Sequence, residues 1–217
     1  MDLTQSGEGR KAYTFREPIG PVVAISAFNH PLNLIAHQVG PAVATGCPVL
    51  VKPAKDTPLS CQSFVEILYE AGLDEHWCRF APCTDDVAEQ MVTDPRTAFF
   101  SFIGSARVGW MLRSKLAPGT RLALEPGGAA PVIVDEQVPH DVVIPALLKG
   151  GFYHSGQVCV SVQRVFVPEN ELANFAGKLG AGAEKLVVGD PVRDDTQCGP
   201  LIRPAEVDRI ETWVDAA

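Results

Sequence analysis

An α/β fold on a mainly parallel sheet is what this chain predicts, on three observations. Short apolar or β-branched runs recur along the 217 residues. Between them lie longer stretches with apolar residues at helical spacing, and tight hairpin signals between successive runs are missing. Strands joined through helices instead of two-residue turns imply right-handed crossovers onto one sheet.

The elements follow in order. PVVAIS at 21–26 is the first expected strand, residues 32–45 its helix, and PVLVK at 48–52 the second strand. Residues 59–71 carry Phe64, Ile67, Leu68 and Ala71 at helical spacing, with Gly72 as a stop. Residues 97–103 are nearly continuously apolar, as a buried strand requires, and 105–116 reads as a helix. Strands at 121–124 and 132–135, a helix at 141–152, a strand at 162–167 and a helix at 169–183 come next. Gly189-Asp190-Pro191 marks a turn before a final helix at 203–217. Residues 1–17 are polar, with an extended piece expected at 11–16.

Composition narrows the classes. Hydrophobic content of 46% with 20% charged residues describes a soluble globular chain. A net charge of −8 without a Lys/Arg stripe excludes a nucleic-acid footprint. The six cysteines are irregularly spaced, with no CxxC pair and no Cys/His cluster, so reduced thiols and no metal site are expected. The polar N-terminus lacks a signal-peptide core and no apolar run suits a bilayer, so the expected compartment is the cytoplasm, with no membrane partner.

Three residues carry chemistry. Cys159 lies in Gly156-Gln157-Val158-Cys159-Val160-Ser161, where glycine and small neighbours let the backbone turn and present both the thiol and its N–H. A free thiol ionises at about 8.5, so a nucleophile at neutral pH needs activation by its surroundings. The plainer reading, a small buried hydrophobe, is accepted for Cys47, Cys61, Cys78, Cys83 and Cys198. Glu125 closes a strand just before Pro126-Gly127-Gly128, where a carboxylate could take a proton from water and the glycines admit a ligand closely. Taken alone it reads as a solvated strand-end glutamate. Asn29, in Phe28-Asn29-His30-Pro31, follows a strand, and its plainer reading is a turn or N-cap asparagine. Thiol, carboxylate and amide together are the parts needed to attack a carbonyl, hold its oxyanion and hydrolyse the thioester.

A fourth motif, Phe102-Ile103-Gly104-Ser105-Ala106-Arg107-Val108-Gly109, joins a strand to a helix. Backbone N–H groups and the Ser105 hydroxyl at that helix start can receive a pyrophosphate; otherwise this is a plain strand-to-helix turn.

At these residues, from about Tyr13 to the end, the chain resembles the aldehyde dehydrogenase superfamily, whose catalytic cysteine, general-base glutamate and oxyanion asparagine come in the same order and at similar spacing. The resemblance implies an NAD(P)-dependent enzyme that oxidises an aldehyde to a carboxylic acid, with Cys159 as nucleophile, Glu125 as base and Asn29 in the oxyanion hole. It also implies a Rossmann-like cofactor domain at 18–126, the start of an α/β catalytic domain at 127–217, and an arm at 1–17 used in pairing of subunits into a homo-oligomer. Gly104, Ser105, Gly109 and Gly127 then belong to the cofactor groove. Lys52 is expected on the adenosine ribose hydroxyls or a 2′-phosphate. Lys55 stands where NAD-preferring relatives commonly carry glutamate; either it attracts a 2′-phosphate, making NADP at least comparable with NAD, or it is a surface lysine. Phe152, Tyr153 and His154 are expected along the substrate funnel, and His30 is given no catalytic role. Pro126 departs from the family's usual leucine and confines Glu125 to extended backbone. Family members are more than twice as long, so the chain is expected to be a central portion of such an enzyme. The alternatives are a catalytically incompetent fragment that at most binds a dinucleotide, and a CoA-acylating relative; Glu125 favours water as the acyl acceptor.

Overall fold

A computed structural model describes residues 4–217. Its first part alternates strand and helix: β1 Val22–Ile25, α1 Asn33–Ala44, β2 Val49–Lys52, α2 Pro58–Glu70, β3 Cys78–Phe80, α3 Asp85–Thr93, β4 Phe99–Ile103, α4 Ala106–Arg113 and β5 Arg121–Glu125. The five strands are all parallel, in the order β3-β2-β1-β4-β5. The expected Rossmann-like sheet is present.

Alternation along β1 assigns the two faces. Val22 and Ala24 join Ile35, Val39 and Ala42 of α1 and Cys61 and Val65 of α2 in one core. Val23 and Ile25 join Ala88 and Val92 of α3, Phe100 and Phe102 of β4 and Leu112 of α4 in the other. Each fully buried aliphatic or aromatic side chain of this kind contributes about 1.5–3 kcal/mol. In β4, Phe100 and Phe102 are buried while Phe99, Ser101 and Ile103 are partly covered, so the expected continuously buried strand is an alternating one, starting at Phe99 rather than at 97. β3 and α3 were not foreseen. The Cys-Arg-Phe of β3 has no β-branched residue to signal a strand.

The second part is smaller. β6 Pro131–Ile133 and β7 Arg164–Phe166 pair in parallel, and α5 His140–Phe152 and α6 Leu172–Ala183 pack over Val134, Ile144, Leu147 and Phe175. α7, Pro204–Asp215, buries none of its own residues, and Arg203 just before it pairs with Asp56 at 2.7 Å. Residues 11–16 form no strand, and Tyr13 and Phe15 stand exposed with their rings edge to face. The beginning of the expected arm, residues 1–3, lies outside the described residues. Among the described residues no helix is long and apolar enough to cross a membrane.

Chain order positions the site. α1 carries the chain from β1 to one side, and α3 delivers β4 to the other, so the carboxyl ends of β1 and β4 form the switch point where such sheets open a ligand crevice. Gln38 of α1 spans it: its buried Nε2 donates to Ile25 O at 3.2 Å and to Ser101 Oγ at 3.0 Å.

Candidate active site

The expected site residues of the sheet gather on that carboxyl edge. Asn29 lies just past β1, Lys52 ends β2, Gly104 follows β4 and Glu125 ends β5. A larger cavity of about 340 Å³ opens at the opposite edge, among Pro21, Pro48, His76, Arg96 and Thr97. None of the expected site residues lines it, so position on the sheet outweighs size.

Asn29 lines a cavity of about 230 Å³ with Phe28, His154, Gln157, Pro200 and Ile202. The cavity reaches Gln157, two residues before Cys159, without including Cys159. The loop bearing Cys159 leaves α5 through a 3₁₀ turn in which His154, Ser155 and Gly156 take φ of 50°, 57° and 73°. Left-handed backbone costs a non-glycine residue about 1–2 kcal/mol, and two such residues persist here because the turn is tied down. Ser155 Oγ donates to Gly199 O, Gln157 Oε1 accepts from Ile202 N at 3.0 Å, and Ser161 Oγ donates to Gly151 O at 3.2 Å. Cys159 is exposed at the tip.

The other side of this loop meets the segment that follows β5, three residues beyond Glu125. A Cβ on Gly128 would stand 3.1 Å from Cys159 O, so glycine is what lets the two backbones approach. Gln163 then fastens the loop's exit, donating from Nε2 to Gly128 O at 2.8 Å and from its N–H to Ala129 O at 3.2 Å. The segments of Asn29, Glu125 and Cys159 therefore meet. His30 also reaches this region, its ring 4.6 Å from His154 and 5.9 Å from Tyr153. Burial, with His30 beside it, pushes the His154 imidazole below its ordinary range, so it is neutral at pH 7.

The expected dinucleotide groove has different reasons at each residue. Gly104 and Gly109 both face Phe102: a Cβ would lie 2.7 Å from its Cζ at Gly104 and 3.1 Å from its ring at Gly109. The two glycines thus let the helix start sit close on the sheet. Ser105 caps α4, its Oγ accepting from Val108 N at 3.4 Å while its own O–H remains free to donate outward. Gly127 has open space where its side chain would be. Lys52 is 5% exposed, and its ammonium has one long bond, to Pro53 O at 3.4 Å. Ser26 Oγ, Asn29 Oδ1 and Gln38 Oε1 are buried around the end of β1 without partners among the described residues. The buried Lys52 and the α4 helix start suit an anionic group, while the partnerless amide oxygens of Asn29 and Gln38 suit a donor such as a hydroxyl or amide N–H.

Two residues here escaped the sequence reading. Asp85 opens α3 and accepts from Lys55 Nζ at 2.8 Å, so Lys55 is not a free cation. Thr84-Asp85-Asp86 before Ala88, Met91 and Val92 was a legible helix start. Gln38 shares the inward face of Ile35, Val39 and Ala42, and a polar residue on that face was the signal.

The family model described as "Aldehyde dehydrogenase family" matches residues 2–217. The chain belongs to that family. Among aldehyde dehydrogenases of known sequence it is 39% identical to a 3-sulfolactaldehyde dehydrogenase of Priestia aryabhattai, over 100% of this chain and 46% of that protein. It is 37% identical to the mitochondrial succinate-semialdehyde dehydrogenase of Arabidopsis thaliana, over 96% of this chain and 40% of that one. Among solved structures, Mycobacterium tuberculosis aldehyde dehydrogenase complexed with NAD+ superposes with a TM-score of 0.89 at 31% identity, covering 92% of this chain and 42% of that one. Glyceraldehyde-3-phosphate dehydrogenase GapN from Methanocaldococcus jannaschii, complexed with NADP, gives 0.88 at 34%, covering 93% and 45%. The chain thus spans about half the length of the relatives it matches.

Proposed function

We propose that this chain carries the nucleophile and the cofactor groove of an NAD(P)-dependent aldehyde dehydrogenase, which oxidises an aldehyde to a carboxylic acid. The observation that supports it is the meeting of the exposed Cys159 loop with Gly128, three residues beyond Glu125, while Gln157 of the same loop shares a cavity with Asn29. Cys159 adds as the thiolate to the aldehyde carbon. The Cys159 N–H and the Asn29 amide hold the developing oxyanion. A bound nicotinamide dinucleotide supplies the acceptor for the hydride that leaves this carbon. Glu125 takes a proton from the water that attacks the resulting thioester, and the acid departs as Cys159 is restored. Lys52 at the ribose, with Lys55 beside it paired to Asp85, and Ser105 with the α4 backbone at the pyrophosphate, hold the cofactor, with Gly104, Gly109 and Gly127 shaping its bed. Copies of the protein pair through the arm that presents Tyr13 and Phe15, and the surroundings are cytoplasmic.

A second reading is dinucleotide binding without turnover, favoured by the chain spanning 46% of the sulfolactaldehyde relative. Two assays on the chain separate them. A burst of NADH or NADPH with short aldehydes, abolished in Cys159→Ala, supports the enzyme. Dinucleotide binding with no burst and no hydrolysis of an activated ester supports the second reading.

A further inference from the structure

Asp85 has contacts beyond its place as a helix-start residue. It stands at the start of α3, beside the carboxyl end of β2. Its Oδ2 accepts from Lys55 Nζ at 2.8 Å, and its Oδ1 lies 3.9 Å from Lys52 Nζ, beyond hydrogen-bond range. Lys52 is buried and its ammonium, with three donors, is bonded among the described residues only to Pro53 O at 3.4 Å. One carboxylate oxygen is therefore engaged, and the other is turned toward a buried cation that lacks a full set of acceptors. Lys55 holds Asp85 ionised, with its carboxyl below the usual range.

In a sheet of this topology, the end of β2 is where the adenosine ribose is read. A carboxylate there accepts from the 2′-hydroxyl, and a cation there accommodates a 2′-phosphate. Here both kinds of group are present, and the carboxylate decides. We propose that Asp85 is the specificity-determining residue for the cofactor: its Oδ1 receives the ribose hydroxyl of NAD, while its charge repels a 2′-phosphate and keeps Lys55 occupied. This rests on the dinucleotide reading of the groove. It reverses the expectation, drawn from Lys55 alone, that NADP is accepted as well as NAD. A phosphate entering beside Lys52 meets the Asp85 carboxylate and competes with it for Lys55. NAD meets no such opposition.

Isothermal titration of the chain with NAD and with NADP at one fixed ionic strength tests this. The wild type binds NAD more tightly than NADP. Asp85→Asn keeps an acceptor oxygen but removes the charge, so NADP gains and the ratio of Kd(NADP) to Kd(NAD) falls by about tenfold, less at high salt. Asp86→Asn, the next residue on the same exposed turn and outside this ion pair, leaves the ratio unchanged and controls for a general loss of negative charge. Tighter binding of NADP by the wild type, an unchanged ratio in Asp85→Asn, or an equal fall in Asp86→Asn each overturns the role of Asp85. Failure of the folded chain to bind either dinucleotide overturns the groove itself, and this inference with it.

Discussion

Asn29 and Cys159, to which the proposed reaction gives different roles, also have different surroundings. Asn29 is half-buried in a small cavity, while Cys159 is exposed on a loop tip whose turn is held in left-handed backbone. Removing the Asn29 amide takes away a donor that acts on the oxyanion, so Asn29→Ala should lower kcat by about 10²–10³ with little change in the rate of Cys159 alkylation by iodoacetamide. Loss of alkylation in parallel with kcat would mean that Asn29 only holds the loop together. Glu125→Gln should act later, letting the thioester accumulate so that acyl-enzyme is seen by mass spectrometry of the quenched protein. Unchanged turnover with no trapped acyl group would assign the base to another residue. The functional residues legible in the sequence were those beside glycines or at strand ends, because backbone demands leave local marks. Asp85 and Gln38 act through partners 30 and 63 positions away, and such pairings leave no local pattern.

At the scale of elements, the β4–α4 turn carries a packing demand at the same glycines to which the proposed function gives a binding role. By sequence the run from Phe102 to Gly109 suits a phosphate cradle or a plain turn, and the structure supplies a packing reason for both glycines. The Phe102 ring, 4% exposed, fills the space beneath them. Gly104→Ala would press a methyl against this ring at 2.7 Å, and because the ring is enclosed the loop must shift. A cost of about 1–3 kcal/mol is expected by urea denaturation, typical of overpacking. Combining it with Phe102→Leu should recover part of that cost, visible as a non-additive double-mutant cycle. Strict additivity would show that the clash is relieved elsewhere and that Gly104 answers to the ligand alone. The long elements were legible because α1, α2, β1 and β2 each carry a clear apolar pattern over several residues. β3, Cys-Arg-Phe, has no β-branched residue to mark it, unlike the equally short β6 and β7, although its Cys78 is fully buried in the core with α2.

For the whole molecule, the sheet's central core sets a limit on alkaline stability. Cys61 of α2 and Cys78 of β3 lie together in that core, both 0% exposed. Burial pushes the Cys61 thiol from 9.0 up to about 12, with Cys78 adding to the effect. The Cys78 thiol rises from 9.0 to about 11 for the same reason. Tyr69, whose hydroxyl donates to Cys78 O, is raised as well, again first by burial. Each of these acids holds its proton more tightly in the folded state than in the unfolded one. Their contribution is complete below pH 9.0, where both states are protonated. Above it the unfolded chain ionises first, binds fewer protons than the folded chain, and is favoured as pH rises. Stability should therefore fall through the interval from pH 9 to about 11–12, by roughly 1 kcal/mol per pH unit for each thiol. Urea melts between pH 8 and 10.5 at constant ionic strength would measure that slope. Cys61→Ala with Cys78→Ala lowers stability at every pH through lost packing, yet it should flatten the slope, which separates ionisation from cavity formation. An equally steep fall in the double variant would show that these two thiols do not set the alkaline limit.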